Sequence, residues 1–575
     1  MLWRVVALSV FAMTTSSVLA QARSDSRPNA GTLLEAPLPA PLPAPQVGPL
    51  LSLPSRNSAL PAAASVRITP ASFVFVGNRI FSAPVLNALL VDFVDKPTDL
   101  AGLAIAANTV SAYYRSRGYL LTEAYLPEQT FSATGGSVTI QVIEAKVGRV
   151  SVDMQGDTQS LLSKAYVENL VANHLKKGDD VSEYALDKPI LLLRDLAGYD
   201  ASATVAPGQK LGEADVRVTV NHKGSRIDGS IGVDNYGATS AGAIKATASV
   251  NINNLLGRGD VLALSGQLSD QSGSSLYRAG YTAPVGGLGT RVGVNAARLN
   301  YALGKQFAAL GASGRADIVG INLSHPLLRG RDDSLYVNVS AEQKRLLDET
   351  TSPVLKGERE ITSWRIGLAG NFTDRLLGGS AINAYSVNAT MGRLSLDSTN
   401  LALDEGLGGL RTSGYFNKLN MDYQRAQFFD SASSLYFTAQ VQLASKNLNS
   451  AEKFALGGPN GVRGYPVGEG IGDAGALISL EYRYQLPAAM SLGKEPVSLL
   501  TFYDYGYVRF NQEGPSLPGA KNSIALSSVG LGAMVGRVGT FHVKSHLAWR
   551  TNANLPSTGD ADRSPRAWLS AQTSF

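Results

Sequence analysis

The residues able to do covalent or metal chemistry are few in this chain of 575 residues. Its five histidines stand at 174, 222, 325, 542 and 546, and no H-E-x-x-H or triad-like grouping joins them to partners. There is no cysteine, so structural disulfides and thiolate metal sites are excluded. No phosphate-binding loop of the right spacing is present. No catalytic residue, no metal site and no cofactor is expected. The stretch that stands out is Leu456-Gly457-Gly458-Pro459-Asn460-Gly461-Val462-Arg463-Gly464-Tyr465-Pro466. Its glycines let the backbone fold tightly, and its prolines fix φ and remove donors. Such a segment makes a compact loop with the Arg463 guanidinium at its tip. The chemistry of that group is recognition: a planar fork engages a carboxylate through two parallel hydrogen bonds. Taken alone, the stretch also reads as an ordinary Gly-rich hairpin loop.

Composition limits what can position such a loop. The length calls for several domains. Hydrophobic residues are 44 % and mean hydropathy is zero. Apart from a marginal N-terminus, no run reaches the ~18 apolar residues of a spanning helix, which leaves strands as the only route across a membrane. The 59 glycines suit many turns. A net charge of +5 is no argument for nucleic acid. Residues 1–22 read as a secretory signal peptide, with Arg4 before the apolar core Val5–Met13 and small residues after it. Residues 23–65 read as a Pro-rich periplasmic linker. Within it Pro37–Pro45 is expected to be a polyproline II spacer, and Gly31–Ala36 allows one helical turn at most.

A β-α-α-β-β order then occurs twice, over 66–147 and 148–223. In the first copy Phe73–Val76 is a strand, Ser82 and Asp99 cap helices, and Gly118 ends the second helix. Tyr119–Leu126 and Val138–Glu144 are its remaining strands. In the second copy Arg149–Asp153 is a strand and Thr158–His174 a helix. Ser182 opens a helix containing Pro189, and strands follow at Ala201–Ala206 and Ala214–Asn221. A small sheet with exposed edges can take an added strand from an unfolded client without demanding a fixed sequence. A purely structural spacer is the plainer alternative.

Over 224–575 helix signals vanish and period-two alternation takes over. Leu335, Val337, Val339 and Ala341 alternate with Tyr336, Asn338, Ser340 and Glu342. Ile478, Leu480, Tyr482 and Tyr484 alternate with Ser479, Glu481 and Arg483. A soluble sandwich would also alternate. Windows long enough to span, whole charges on the polar face and a terminal strand ending in Phe575 favour a transmembrane β-barrel. At roughly 22 residues per strand and connection, about sixteen antiparallel strands fit.

Several phrases, in order, carry a resemblance. They are Phe75-Val76-Gly77-Asn78, Gly232–Gly237, Asn254-Leu255-Leu256-Gly257-Arg258-Gly259-Asp260, His325-Pro326-Leu327-Leu328-Arg329, Gly414–Leu419, Val462-Arg463-Gly464-Tyr465 and Phe502-Tyr503-Asp504-Tyr505-Gly506. Together they resemble the TpsB two-partner secretion transporters, the ShlB/FhaC/HecB family within the BamA-like superfamily. The resemblance implies two POTRA domains followed by the barrel, in the outer membrane, with the POTRA domains in the periplasm. It implies that the loop of Val462, Arg463, Gly464 and Tyr465 folds into the barrel, and that Arg463 pairs with Asp504 of the Phe502/Gly506 strand motif. Phe575 would be the signal read by the barrel-assembly machinery. The implied partners are an unfolded secreted exoprotein (TpsA-like) and outer-membrane lipid. Some members carry a long N-terminal plug helix, for which the Pro-rich stretch here leaves little room.

The expected function is secretion of a haemolysin- or adhesin-like partner exoprotein, bound by the POTRA domains and passed through the barrel. The alternative is an outer-membrane barrel insertase. An enzyme lacks candidate residues, and a passive porin would not need the two repeats.

Overall fold

The computed structural model describes residues 28–34, 51–52, 67–130, 136–155, 162–513, 521–558, 560 and 562–575. The expected signal segment, the polyproline stretch and the first turn of the helix expected from Thr158 lie outside the described residues.

Each repeat is a small sheet covered by two helices. In the first, Pro70–Val76 runs parallel to Gly136–Ile143, which pairs antiparallel with Glu123–Tyr125. The helices Ala83–Ala88 and Leu100–Ser116 cover one face. Asp99 caps the longer helix through the Gly102 amide, and Gly118 turns the chain out of it at φ +87°. Leu86, Leu103, Val110, Tyr114, Val138 and Ile140 fill the core because helical and strand periodicities put them on facing sides. The second repeat has the same order: Lys146–Gln155 lies parallel to Glu213–His222, which pairs antiparallel with Tyr199–Pro207. Its helices are Lys164–His174 and Glu183–Arg194, the latter continuing through the buried Pro189.

Two findings modify the expected linker. Leu51–Ser52 forms a short parallel strand against Ala203–Thr204, so part of the second sheet's edge is already occupied. Residues 28–34 do not lie beside the small domains. Asn29 caps one helical turn, Ala30–Leu33, whose Ala30 packs with Leu276, Leu299, Leu346 and Phe416 on the inner wall of the barrel. The only turn the sequence allowed there is made, but at a site no local signal specifies.

Sixteen strands close the barrel. The last, Arg566–Ser574, pairs with the first, Ile227–Asp234, in the register Ala571↔Val233. Phe575 follows that last strand. Its backbone exchanges hydrogen bonds with Gly229, while its ring stays exposed on the outside. Closure satisfies the backbone groups that an open edge would leave bare in lipid. Strand length is uneven. The first three strands have eight or nine residues, whereas Asp333–Thr351 and Val354–Asp374 have 19 and 21. Among the described residues no helix is long and apolar enough to cross a membrane.

The second repeat is fastened to the periplasmic rim by the sequence phrases singled out above. Asn254 donates to the Tyr199 hydroxyl and accepts from the Gly259 amide. Asp260 accepts from the Leu256 amide and the Tyr281 hydroxyl. Arg329 forks onto Asp195 at 2.9 and 2.7 Å, and Arg331 reaches Asp187 and Glu183. Gly259 sits at φ +78°, with an added Cβ only 2.7 Å from Leu196 Cδ2. Gly259→Val is therefore expected to cost about 1–3 kcal/mol at this joint. Proteolysis at the junction near Lys223 should speed up accordingly, and an unchanged rate would mean that the turn does not hold the joint.

Candidate functional site

The site is the loop 445–473 between the strands Ser433–Ala444 and Ala474–Gln485. It joins two strands at the outer rim and turns back inside the barrel. Leu456, Val462 and Tyr465 are fully buried with Leu477, Val508 and Leu526 of the wall. This apolar patch brings the loop down onto the inner surface, so that its polar groups meet the wall at fixed heights. Glycine leaves room where the loop packs on the wall. A Cβ on Gly464 would lie 2.8 Å from Ser528 Cβ, and one on Gly506 would lie 2.6 Å from Leu456 Cδ2 and 3.2 Å from Val462 Cγ2. The glycines of the loop and strand motifs thus each open space for the loop against the wall, at neighbouring contacts.

Arg463 lies at the centre, 4 % exposed. Its Nε and Nη2 donate to Asp504 at 2.9 and 2.7 Å, a bidentate fork, and its own backbone amide donates to the same carboxylate at 3.1 Å. Nη1 donates to Glu481 at 2.5 Å and Nη2 to Ser479 at 3.0 Å. The guanidinium carbon stands 3.3 Å from the centre of the Phe502 ring, giving the Phe of the strand motif a role as a platform. Asp504 is completely buried and also accepts from Ser479 and Ser528. Trp568 of the last strand donates to the Arg463 carbonyl at 2.8 Å. The Tyr465 hydroxyl reaches Asn552 and the Asn554 carbonyl in the last outer loop. Val462, Arg463, Gly464, Tyr465, Phe502, Asp504 and Gly506 therefore meet in one place, while Phe575 lies apart at the periplasmic rim.

Sequence reasoning treated Glu481 only as a lumen charge. It is the second carboxylate on Arg463, and it also meets Arg483 at 2.6 Å, with Lys544 and His546 each at 3.9 Å. The signal was available in the register: Ser479 faces Asp504 directly, so Glu481 is the next inward residue along the strand.

A second attachment was not anticipated. Glu452, 2 % exposed, lies between Lys344 at 2.7 Å and Lys418 at 2.6 Å. The lysines come from the strands Asp333–Thr351 and Gly414–Phe428, away from Asp504. Lys453 adds a contact to Asp473 at 3.3 Å. The N-terminal turn rests on this limb. Ser450 Oγ donates to Asn29, the Ala30 amide donates to Asp348, and a Cβ on Gly31 would lie 2.5 Å from the Ala451 nitrogen. The loop is thus held at its tip and at its first limb, with the N-terminal turn packed on the latter.

At the other end a cavity of about 560 Å³ opens between the second small domain and the lumen, lined by Tyr166, Leu192, Tyr336, Asn371 and Asp422 among others. Among the described residues no group of side chains could hold a metal ion. The arrangement offers charge recognition, with the loop lodged against the inner wall of the barrel.

Comparison with known proteins agrees with this architecture. Residues 212–533 match the family model described as haemolysin secretion/activation protein ShlB/FhaC/HecB, and residues 68–145 match the ShlB-type POTRA domain. The heme/hemopexin transporter protein HuxB of Haemophilus influenzae (strain 86-028NP) is 29 % identical over 491 residues, 85 % of this chain and 84 % of its own. The outer membrane transporter CdiB of Escherichia coli is 22 % identical over 455 residues, 78 % of this chain and 74 % of its own. The solved structure of CdiB from Escherichia coli superposes with a TM-score of 0.69 at 19 % identity, covering 99 % of this chain and 98 % of that one.

Proposed function

Because the chain belongs to the ShlB/FhaC/HecB family of haemolysin secretion/activation proteins, we infer that it secretes a partner exoprotein through its barrel after binding it, unfolded, at the POTRA domains. It is an outer-membrane protein whose POTRA domains face the periplasm. The units are 66–147 and 148–223 for the POTRA domains and 224–575 for the barrel. The observation that carries this reading is the inward loop: a lumen obstructed by a segment held through a few buried charges is a conduit that can be closed and cleared. Arg463 and Asp504 act as the loop lock, with Val462, Gly464 and Tyr465 shaping the loop and Phe502 and Gly506 its seat. Phe575 serves the barrel-assembly machinery. The protein acts as a transporter and not as an enzyme.

The client first pairs with an open sheet edge, gaining main-chain hydrogen bonds, and enters by the cavity beside Tyr166 and Tyr336. Folding outside supplies direction. The test is uptake into liposomes. The purified full chain is reconstituted, an unfolded amino-terminal fragment of a haemolysin- or adhesin-like exoprotein is added, and protease-protected material is scored. Uptake that disappears when 66–221 is deleted is the expected result. Failure of uptake together with insertion of other barrels into the same liposomes would replace secretion with the insertase reading.

A further inference from the structure

The outside of the barrel carries one feature that secretion does not use. Where the strands Thr290–Ala302, Ser313–Arg329, Asp333–Thr351 and Val354–Asp374 lie side by side, their registers set outward residues in rows. Val294, Ile321, Ala341 and Trp364 make one apolar row, and Ala296, Val319, Gln343 and Thr362 make the next. Val294, Val319, Ile321 and Trp364 are all more than half exposed, as a lipid-facing wall must be when no lipid is counted. One step further towards the outer rim the row becomes Arg298, Asp317, Arg345 and Glu360, directly opposite one another, with Arg315 above it.

These charges do not simply cancel. Arg298 and Arg315 share the single carboxylate of Asp317, each through Nε, at 2.5 and 2.9 Å. Arg345 stands 3.5 Å from Glu360, whose carboxylate also accepts from Gln343. Three arginines face Asp317 and Glu360, while Glu358 and Asp397 line the same groove with Arg278 and Arg359, and the arginine side chains of the row are 58, 49 and 69 % exposed. A guanidinium held through Nε keeps its terminal amino groups for a further oxyanion. Beside and below the charged row the wall is concave. A groove of about 1390 Å³ runs from these arginines over Ala248, Gly266, Ala279 and Ala296, where small side chains leave room.

We propose that this groove binds a phosphate-bearing lipid of the outer leaflet, with its phosphate on Arg298, Arg315 and Arg345 and its acyl chains on the small-residue floor. The argument rests on the outer-membrane placement of the barrel and is independent of secretion. A free anion would use only the arginines, and an uncharged lipid only the floor. A phosphorylated amphiphile uses both at the height where a bilayer places them.

The test uses the full chain in neutral detergent, with lipid A as probe and native mass spectrometry as readout. One lipid A per barrel is expected to survive on the wild type. Retention should fall about tenfold or more in R298Q/R315Q/R345Q, because charge-assisted contacts to phosphate are lost. Dephosphorylated lipid A on the unmodified protein needs no folding control and is expected to dissociate. Equal retention of the dephosphorylated lipid, or complete displacement of lipid A by millimolar inorganic phosphate, would overturn the proposal. So would undiminished retention by a triple variant that keeps its heat-modifiable barrel.

Discussion

Replacing Arg463 with Ala is expected to release the inward loop and stop secretion while the barrel stays in the membrane. The substitution leaves Asp504 and Glu481, both buried, facing each other's charge with their shared cation gone. Removing one partner of a buried ion pair costs about 3–5 kcal/mol. At about 1.4 kcal/mol per factor of ten, the docked-to-undocked ratio falls by roughly 10² to 4 × 10³. The variants should rank by what they strand. Arg463→Lys keeps the charge but cannot fork across Asp504 and reach Glu481 together, so it should fall between Ala and wild type. Asp504→Asn leaves Arg463 its bond to Glu481 and should be milder than Arg463→Ala. Because the chain has no cysteine, Val462→Cys, at a fully buried position, is a single reporter of undocking. Maleimide should label it slowly in the otherwise unchanged chain and rapidly with Arg463→Ala. Slow labelling and normal secretion in both Arg463→Ala and Asp504→Ala would remove the lock from the mechanism.

The second large effect is expected at Glu452. Glu452→Ala leaves Lys418 without its carboxylate and Lys344 with only Glu342 at 3.1 Å, both lysines being nearly buried, and frees the limb on which Asn29 and Ala30 rest. The expected cost is again about 3–5 kcal/mol. Here it should appear as conductance, since the limb and the N-terminal turn both occupy the outer half of the lumen. In planar bilayers the variant should open more often and at a higher level than the wild type, even with Arg463 intact. A buried ion cluster exchanged whole for apolar residues of similar size is often close to neutral. The triple variant K344M/K418M/E452L, which leaves only the 28 % exposed Glu342 to water, should therefore return the conductance towards the wild-type level. Wild-type conductance in Glu452→Ala would show that the tip alone holds the loop. A triple variant as open as the single one would show that the charges specify the seat and not only stabilise it.

These two attachments differ in how far they can be read from the chain. The barrel is legible because alternation is local: Leu335 to Glu342 display their two faces in eight consecutive residues, whatever lies next to them. The repeats are legible for the same reason, through the side-chain caps at Asp99 and Ser182, the N-cap position of Ser82, which makes no side-chain bond, and the breaks at Gly118 and Gly198. Arg463 and Asp504 announce themselves by the motifs around them. Glu481 does not, because its place on Arg463 depends on the register Ser479↔Asp504 between two strands. Glu452 carries still less signal. A glutamate in a loop meets two wall lysines 108 and 34 positions away only after the loop has turned inward.

The same division explains the N-terminal stretch and the outer wall. By itself the sequence determined that Gly31–Ala36 could form no more than one helical turn, that 224–575 would alternate, and that no apolar run beyond a marginal N-terminus is long enough for a spanning helix. Only the tertiary structure decided that this turn lodges against Asp348 and Ser450 inside the barrel. It alone put Leu51–Ser52 on the edge of the second small sheet. It alone brought Arg298, Asp317, Arg345 and Glu360 into one row. Periodicity and capping act over a few bonds and are written in neighbouring residues. Register, edge occupancy and the path of a long loop compare alternatives tens to hundreds of residues apart, and the energy that selects among them arises only when the barrel has closed.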